Sequence, residues 1–277
     1  MSDFWTALVD PAFPFIRNAL GAALLSAILF GVLGSLVTVR RIASLAGAIS
    51  HAVLGGIGMA LYLQTTQAVP LPPLAGALIF AVGAALIIAL VAQSAKERQD
   101  TVINAIWAIG MSIGVFFMAK TPGYTDPSSY LFGNILLIAT SDLVLLGILD
   151  ALVIVFVWLF YPQIIACSFD EEFAQVRGVP VKAFFLSILI ISAVAIVLLQ
   201  SFVGIIMVIA MLTLPAGIAC NLSGSLGSMM VVSCLFSAVF SAGGLIISWL
   251  CNAPVGATTV LLAACVFLLV SIAKPKA

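Results

Sequence analysis

Residues 18–63 read NALGAALLSAILFGVLGSLVTVRRIASLAGAISHAVLGGIGMALYL, two long apolar runs parted by Arg40-Arg41. An uncharged run of about 20 apolar residues, rising about 1.5 Å per residue, is long enough to cross roughly 30 Å of hydrocarbon as a helix. The same pattern recurs along the chain. Apolar runs fall at 18–39, 46–63, 72–93, 102–119, 142–163, 184–199, 203–220, 229–250 and 255–273. Of the 277 residues, 64% are apolar and 7% are charged, against about 45–50% and about 25% in soluble domains. A soluble globular domain with this composition could not cover its own surface, and a disordered chain needs the opposite composition. Long continuous runs also argue against an outer-membrane barrel, which shows short alternating segments. The expectation is an all-α, polytopic membrane bundle of about nine transmembrane helices (eight to ten), forming one transmembrane domain over 1–277.

The breaks between runs are polar or conformationally disruptive. They are Arg40-Arg41, the prolines at 70, 72 and 73, and Lys96-Glu97-Arg98-Gln99-Asp100. Thr121-Pro122-Gly123, the stretch 168–182, Gln200-Ser201, Ser223-Gly224-Ser225 and Asn252-Ala253-Pro254 follow. With the N-terminus outside, Arg40, Arg41, Lys96, Arg98, Arg177, Lys182, Lys274 and Lys276 fall inside, eight of the ten basic residues. The positive-inside rule therefore predicts N-out, C-in. The join near Gln200 is the weakest, and the segment after it could be re-entrant. Residues 1–16 lack a basic n-region and carry Phe4, Trp5, Phe13 and Phe15. They read as an interfacial segment rather than a cleaved signal peptide.

Small residues recur within the runs, at Gly31, Gly34, Gly47, Gly55, Gly56, Gly58, Gly110 and Gly114. In lipid, close backbone approach drives helix association, so these glycines predict a packed bundle. The cysteines at 167, 220, 234, 251 and 265 are dispersed, with no C-x-x-C pair. They read as small apolar side chains, not as a disulfide or zinc framework. Zero net charge provides no field for nucleic acid.

The inside stretch 168–180, Ser-Phe-Asp-Glu-Glu-Phe-Ala-Gln-Val-Arg-Gly-Val-Pro, reads as one short soluble helix. Ser168 with Glu171 predicts a capping box. Asp170, Glu171 and Glu172 suit the first turn, and Arg177 the last. Gly178 and Pro180 predict the stop. The helix could present Phe169 and Phe173 to a cytoplasmic partner, or lie on the membrane surface; three acids disfavour the negatively charged leaflet.

Five stretches carry a resemblance to a known family. They are Gly34-Ser-Leu-Val-Thr-Val-Arg-Arg followed by Ser50-His51-Ala52, then Tyr130-Leu-Phe-Gly-Asn-Ile-Leu, then Phe169-Asp-Glu-Glu-Phe-Ala with Gly178. Val203-Gly204 through Met207-Val208 to Leu214-Pro215-Ala216, and Pro254-Val-Gly-Ala with Thr258 and Val260, complete the set. In this order they resemble the ABC-3 permeases of bacterial zinc and manganese importers along nearly the whole chain. The resemblance implies a permease of the cytoplasmic membrane for a divalent transition metal: zinc or manganese, with iron a third candidate. The metal would be cargo, with no cofactor held permanently. Two ATPase subunits, a second permease copy or a close relative, and an extracytoplasmic metal-binding protein would complete the system. Phe169, Asp170, Glu171, Glu172, Phe173 and Arg177 would couple to the ATPase. The family often carries an Asp four residues before the histidine, on the helix expected to hold metal in transit. Gly47 stands there in this chain.

His51 is the sole histidine and lies inside an apolar run. An ionisable residue within a span is a functional hypothesis by default, and imidazole suits zinc well and also binds manganese and iron. The alternative is a neutral histidine bonded to a nearby carbonyl or to Ser50. Asp150 is a candidate oxygen ligand if the run 142–163 is one span, or an interfacial acid if the span begins near Ala151. Asp126, in the outside loop, is a candidate metal-receiving or delivery-protein residue, or an ordinary solvated acid. Arg40 and Arg41 either contact the ATPase or lipid phosphates, or simply set topology. No GxxxxGK[ST] phosphate loop occurs, so the chain is not expected to be the ATPase. Two other readings remain: a membrane-embedded enzyme using His51 as base or metal ligand, and an ATP-independent secondary transporter, which would favour two related halves with broken helices.

Overall fold

The computed structural model describes residues 14–66, 70–94, 99–123, 133, 135 and 138–273. Their helices are α1 (Pro14–Val39), α2 (Ala43–Thr65), α3 (Pro73–Ser94), α4 (Gln99–Lys120), α5 (Thr140–Leu159), α6 (Tyr161–Phe169), α7 (Glu171–Val176), α8 (Val181–Val203), α9 (Ile205–Leu222), α10 (Leu226–Cys251) and α11 (Val255–Ala273). All but α6 and α7 are long and apolar enough to span a membrane, nine among the described residues. Helix is the form that satisfies every backbone N–H and C=O within one segment where no water can. Buried serines follow the same economy: Ser26, Ser35 and Ser50 donate to carbonyls four residues earlier, at 2.6, 2.7 and 2.9 Å.

Two boundaries differ from the apolar pattern. The run 142–163 is not one helix: α5 ends at Leu159, Phe160 takes φ −108°, ψ 17°, and Pro162 sits in the first turn of the new helix α6. Proline favours a helix start because that first-turn N–H needs no partner. The polar pair Gln200-Ser201 does not break its helix. The break falls at Gly204, φ +82°, a conformation that glycine adopts without steric cost. The segment after it is a helix of 18 residues with span length and composition.

The chain divides into two compact units. The first comprises residues up to Arg41, 131–159 and 201 onward. Within it α1 packs against α5, α9 and α10, and α11 lies against α9 and α10. Missing side chains make the close fits. A Cβ on Gly31 would come within 2.4 Å of the Cys234 backbone nitrogen, and one on Gly34 within 2.5 Å of the Leu212 carbonyl oxygen. Gly133 and Gly204, from two of the stretches singled out above, also meet: a Cβ on Gly133 would lie 2.4 Å from the Gly204 nitrogen.

The second unit comprises residues 42–130 and 160–200. Here α2 is flanked by α3 and α4. Gly56 abuts Gly76 of α3, while Gly55 and Gly58 abut Gly110 and Gly114 of α4, all at distances too short for a Cβ. The spacing Gly110-x-x-x-Gly114 therefore serves as a packing face. Gly47 does not: its Cβ direction meets nothing within 4 Å.

Candidate functional site

His51 stands on the ninth residue of α2, partly buried. Its ring meets Trp107 of α4 edge to face, 5.2 Å between centroids at 78°. The approach depends on Gly110, whose absent Cβ would sit 2.9 Å from the His51 carbonyl oxygen and 2.6 Å from the Ala52 Cα. Trp107, Gly110 and Gly114 share one face of α4 by their i, i+3, i+7 spacing. That spacing was the available signal for Trp107, which sequence reasoning missed. Ser50 does not hold the histidine, since its hydroxyl donates to the Ala46 carbonyl. The His51 Nδ1 is buried and has no hydrogen-bond partner. A nitrogen with that lone pair unspent can accept a proton or bind a metal. Trp107 itself is 46% exposed and opens onto a groove with Met111, Ser112, Val115 and Phe116 along α4.

Asp150 lies in the middle of α5, 4% exposed, and that helix begins ten residues earlier, at Thr140, not near Ala151. The acid that sits at that helix start is Asp142, whose carboxylate accepts from the Ala139 N–H at 2.9 Å. Asp150 belongs to the first unit and His51 to the second. Asp126 lies outside the described residues, as do Lys96, Arg98, Lys274 and Lys276.

The short helix is α7, and its cap corrects the expectation. Asp170, not Ser168, is the N-cap, accepting from the Phe173 N–H at 2.8 Å. Ser168 belongs to the preceding α6 and its hydroxyl has no partner, so the Ser168–Glu171 box does not form. The physical reason is that α6 runs on to Phe169, which leaves Asp170 as the extended residue between two helices. The stop follows the expectation. Gly178 has φ +77° and donates to the Gln175 carbonyl at 2.9 Å, while Val179 donates to that of Ala174 at 3.0 Å. Those paired bonds close a helix end in the Schellman manner. Ala174, Cys167 and Val181 form a buried cluster that seats α7. Phe173 and Val176 of α7 are 50% and 88% exposed, and Phe169, at the end of α6, is 68% exposed. The Arg177 guanidinium lies over the Phe173 ring, 5.1 Å from its centre. Glu172 is exposed beside them.

Nine span-length apolar helices among the described residues, packed through glycine-tight seams, define a polytopic membrane protein. The chain belongs to the ABC 3 transport family, whose pattern matches residues 12–274. It is similar to a "Probable metal transport system membrane protein" of Chlamydia trachomatis, 36% identical over 88% of this chain and 82% of that one. The manganese transport system membrane protein MntC of Listeria monocytogenes is 33% identical, over 95% of this chain and 92% of its own length. Among solved structures, PsaBC from Streptococcus pneumoniae in complex with Fab superposes with a TM-score of 0.85 and 31% identity, covering 97% of this chain and 94% of that one. This chain is accordingly a permease subunit of the bacterial cytoplasmic membrane and not an enzyme; ATP hydrolysis belongs to a separate subunit.

Proposed function

We propose that this permease carries a divalent transition metal into the cell, with His51 on the ion's path. The observation that carries the reading is the sole histidine inside a span, with its Nδ1 buried and unpartnered. Manganese is the first candidate, because MntC is named for it; zinc and iron are the competitors, since imidazole accepts all three. Gly47 supplies no carboxylate one turn before His51, so the path there has fewer protein ligands. A transport site gains from that, because an ion must leave as readily as it enters.

In this reading α7 is the coupling element. Two ATPase subunits would grip Phe169, Phe173 and the charges Asp170, Glu171, Glu172 and Arg177, and their ATP-driven closure would move the helix. A second permease copy facing the groove beside Trp107 would bring two His51 rings to one axis. An external metal-binding protein would deliver the ion, with Asp126 available on that side. The N-out orientation places α7 and the pair Arg40-Arg41 inside.

Uptake competition among manganese, zinc and iron, in cells lacking other importers, tests the reading. Manganese should enter in preference, and no metal accumulation would overturn it. In the same cells Phe173→Ala should cut uptake about tenfold and weaken copurification of the ATPase, the scale of losing one interface anchor of roughly 1–2 kcal/mol. Unchanged uptake together with full ATPase retention in the double variant Phe169→Ala, Phe173→Ala would remove α7 from the coupling role.

A further inference from the structure

His51 lacks the device that ordinarily aligns a metal-binding imidazole. Such a ring spends its second nitrogen on a carboxylate, a carbonyl or water, and that bond fixes its tautomer and its plane. Here Nδ1 is buried without a hydrogen-bond partner, and the Ser50 hydroxyl is committed to Ala46. One turn earlier on the same face of α2 stands Gly47, which has no side chain to offer. Among the described residues no three His, Cys, Asp or Glu side chains gather as a metal cage. Left to itself, the outer torsion of a histidine is broad and roughly two-fold. The plane matters, because an imidazole lone pair lies in it and so sets the direction along which a metal bonds.

What the ring does have is Trp107. The two centroids are 5.2 Å apart and the planes stand at 78°, an edge-to-face pair of the kind whose attraction depends on relative orientation. Turning the imidazole about its outer torsion would lose that arrangement. Both residues belong to the second unit, and α2 and α4 pack directly.

The position of Trp107 is itself fixed at backbone level. One turn further along α4, a Cβ on Gly110 would lie 2.8 Å from the Ala52 nitrogen and 2.9 Å from the His51 carbonyl oxygen. Another turn on, a Cβ on Gly114 would lie 2.7 Å from the Leu54 carbonyl oxygen. The indole therefore cannot shift along or away from His51 without opening this seam. Nor is Trp107 a core filler. It is 46% exposed, and its free side lines the groove with Met111 and Ser112.

We propose that Trp107 is a positioning residue for metal transfer. Its ring holds the His51 imidazole in one plane, in place of the hydrogen bond that other metal-binding histidines use. The ion then meets a ligand already aligned, and the ordering of a side chain is not lost at each binding event. This deepens the metal-import reading and rests on His51 lying on the path.

The test loads manganese chloride onto the purified permease–ATPase complex and reads the bound ion by pulsed electron paramagnetic resonance, in which a coordinated imidazole leaves a nitrogen coupling. Trp107→Ala should weaken that coupling. It should also raise the manganese concentration for half-maximal uptake by roughly 10- to 100-fold, the usual cost of losing a group that orients a metal ligand, with the maximal rate retained. Trp107→Phe keeps a ring beside His51 and should restore most of both. In a His51→Ala background Trp107→Ala should cost no further manganese affinity, since a residue acting through the imidazole has nothing left to orient. Uptake and nitrogen coupling both unaltered in Trp107→Ala overturn the positioning role. So does a loss of affinity in the double variant as large as Trp107→Ala adds to the wild type. Bound manganese with no nitrogen coupling in the wild type, and full affinity in His51→Ala, is a different result: it removes His51 from the path and the positioning role with it. If Trp107→Ala does not assemble, Trp107→Leu, which keeps an apolar side chain without a flat ring, is read by the same criteria.

Discussion

Replacing His51 with alanine is expected to lower metal uptake about 100-fold or more, a loss of roughly 3 kcal/mol in the relevant binding or transition state, while the permease still reaches the membrane and retains its ATPase. The imidazole stands alone on its span, with no carboxylate at Gly47 to substitute for it. Its structural debt is small. The edge contact with Trp107 is the type of aromatic pair that contributes about 0.5–1.5 kcal/mol, and Ser50 and Ala46 bond each other without the histidine. A second substitution separates chemistry from packing. His51→Phe keeps a ring against Trp107 and removes both nitrogens, so it should be as inactive as His51→Ala. Phenylalanine restoring uptake would make the histidine a packing residue. Normal manganese, zinc and iron uptake in the alanine variant would take the residue off the path altogether.

The spans were legible because lipid imposes a length and an apolarity that composition alone reveals. Among the described residues each of the nine runs holds one span-length helix, with ends displaced by a few residues. Where the expectation failed, a local competitor decided. Pro162 started a new helix inside an apolar run, and Gly204, not the polar pair Gln200-Ser201, ended α8. The cap moved from Ser168 to Asp170 for a related reason: α6 occupies Ser168, and no hydropathy signal marks a nine-residue helix joined to a span by one residue.

Site chemistry was legible only one residue at a time. His51 and Asp150 were conspicuous as ionisable residues in apolar runs, but their neighbours were not. Trp107 is an unremarked aromatic in an apolar helix until Gly110 brings its face onto α2. Sequence periodicity gives the face a residue lies on; which face of another helix receives it is a tertiary fact. Gly47 illustrates the same limit from the other side, since it looked like the packing glycines around it, yet a Cβ there would meet nothing within 4 Å.

That contrast within α2 gives the second large effect. A Cβ on Gly56 would lie 2.2 Å from the Gly76 carbonyl oxygen, and one on Gly76 would lie 2.4 Å from the Gly56 carbonyl oxygen. Both obstacles are backbone, so no side chain can rotate away and the two helices must part. Parting them also opens the neighbouring contacts of Gly55 and Gly58 with α4, because small-residue seams in lipid hold through close packing and not through exclusion of water. Gly56→Leu should therefore fail to accumulate as folded protein. Gly56→Ala should lose about 1–3 kcal/mol, the usual cost of overpacking, despite the roughly 1 kcal/mol that alanine gains over glycine in a helix interior. Gly47→Ala keeps that helix gain with no clash and should unfold in detergent at the wild-type temperature or above. Gly47→Asp, which has the same open space, should fold as well and place a carboxylate one turn from His51. The yield of folded protein reads Gly56→Leu, and thermal unfolding of the purified protein in detergent measures the other three. A Gly56→Ala protein as stable as Gly47→Ala would mean that α2 and α3 are not held at backbone contact, and the glycine-seam account of the second unit would have to be abandoned.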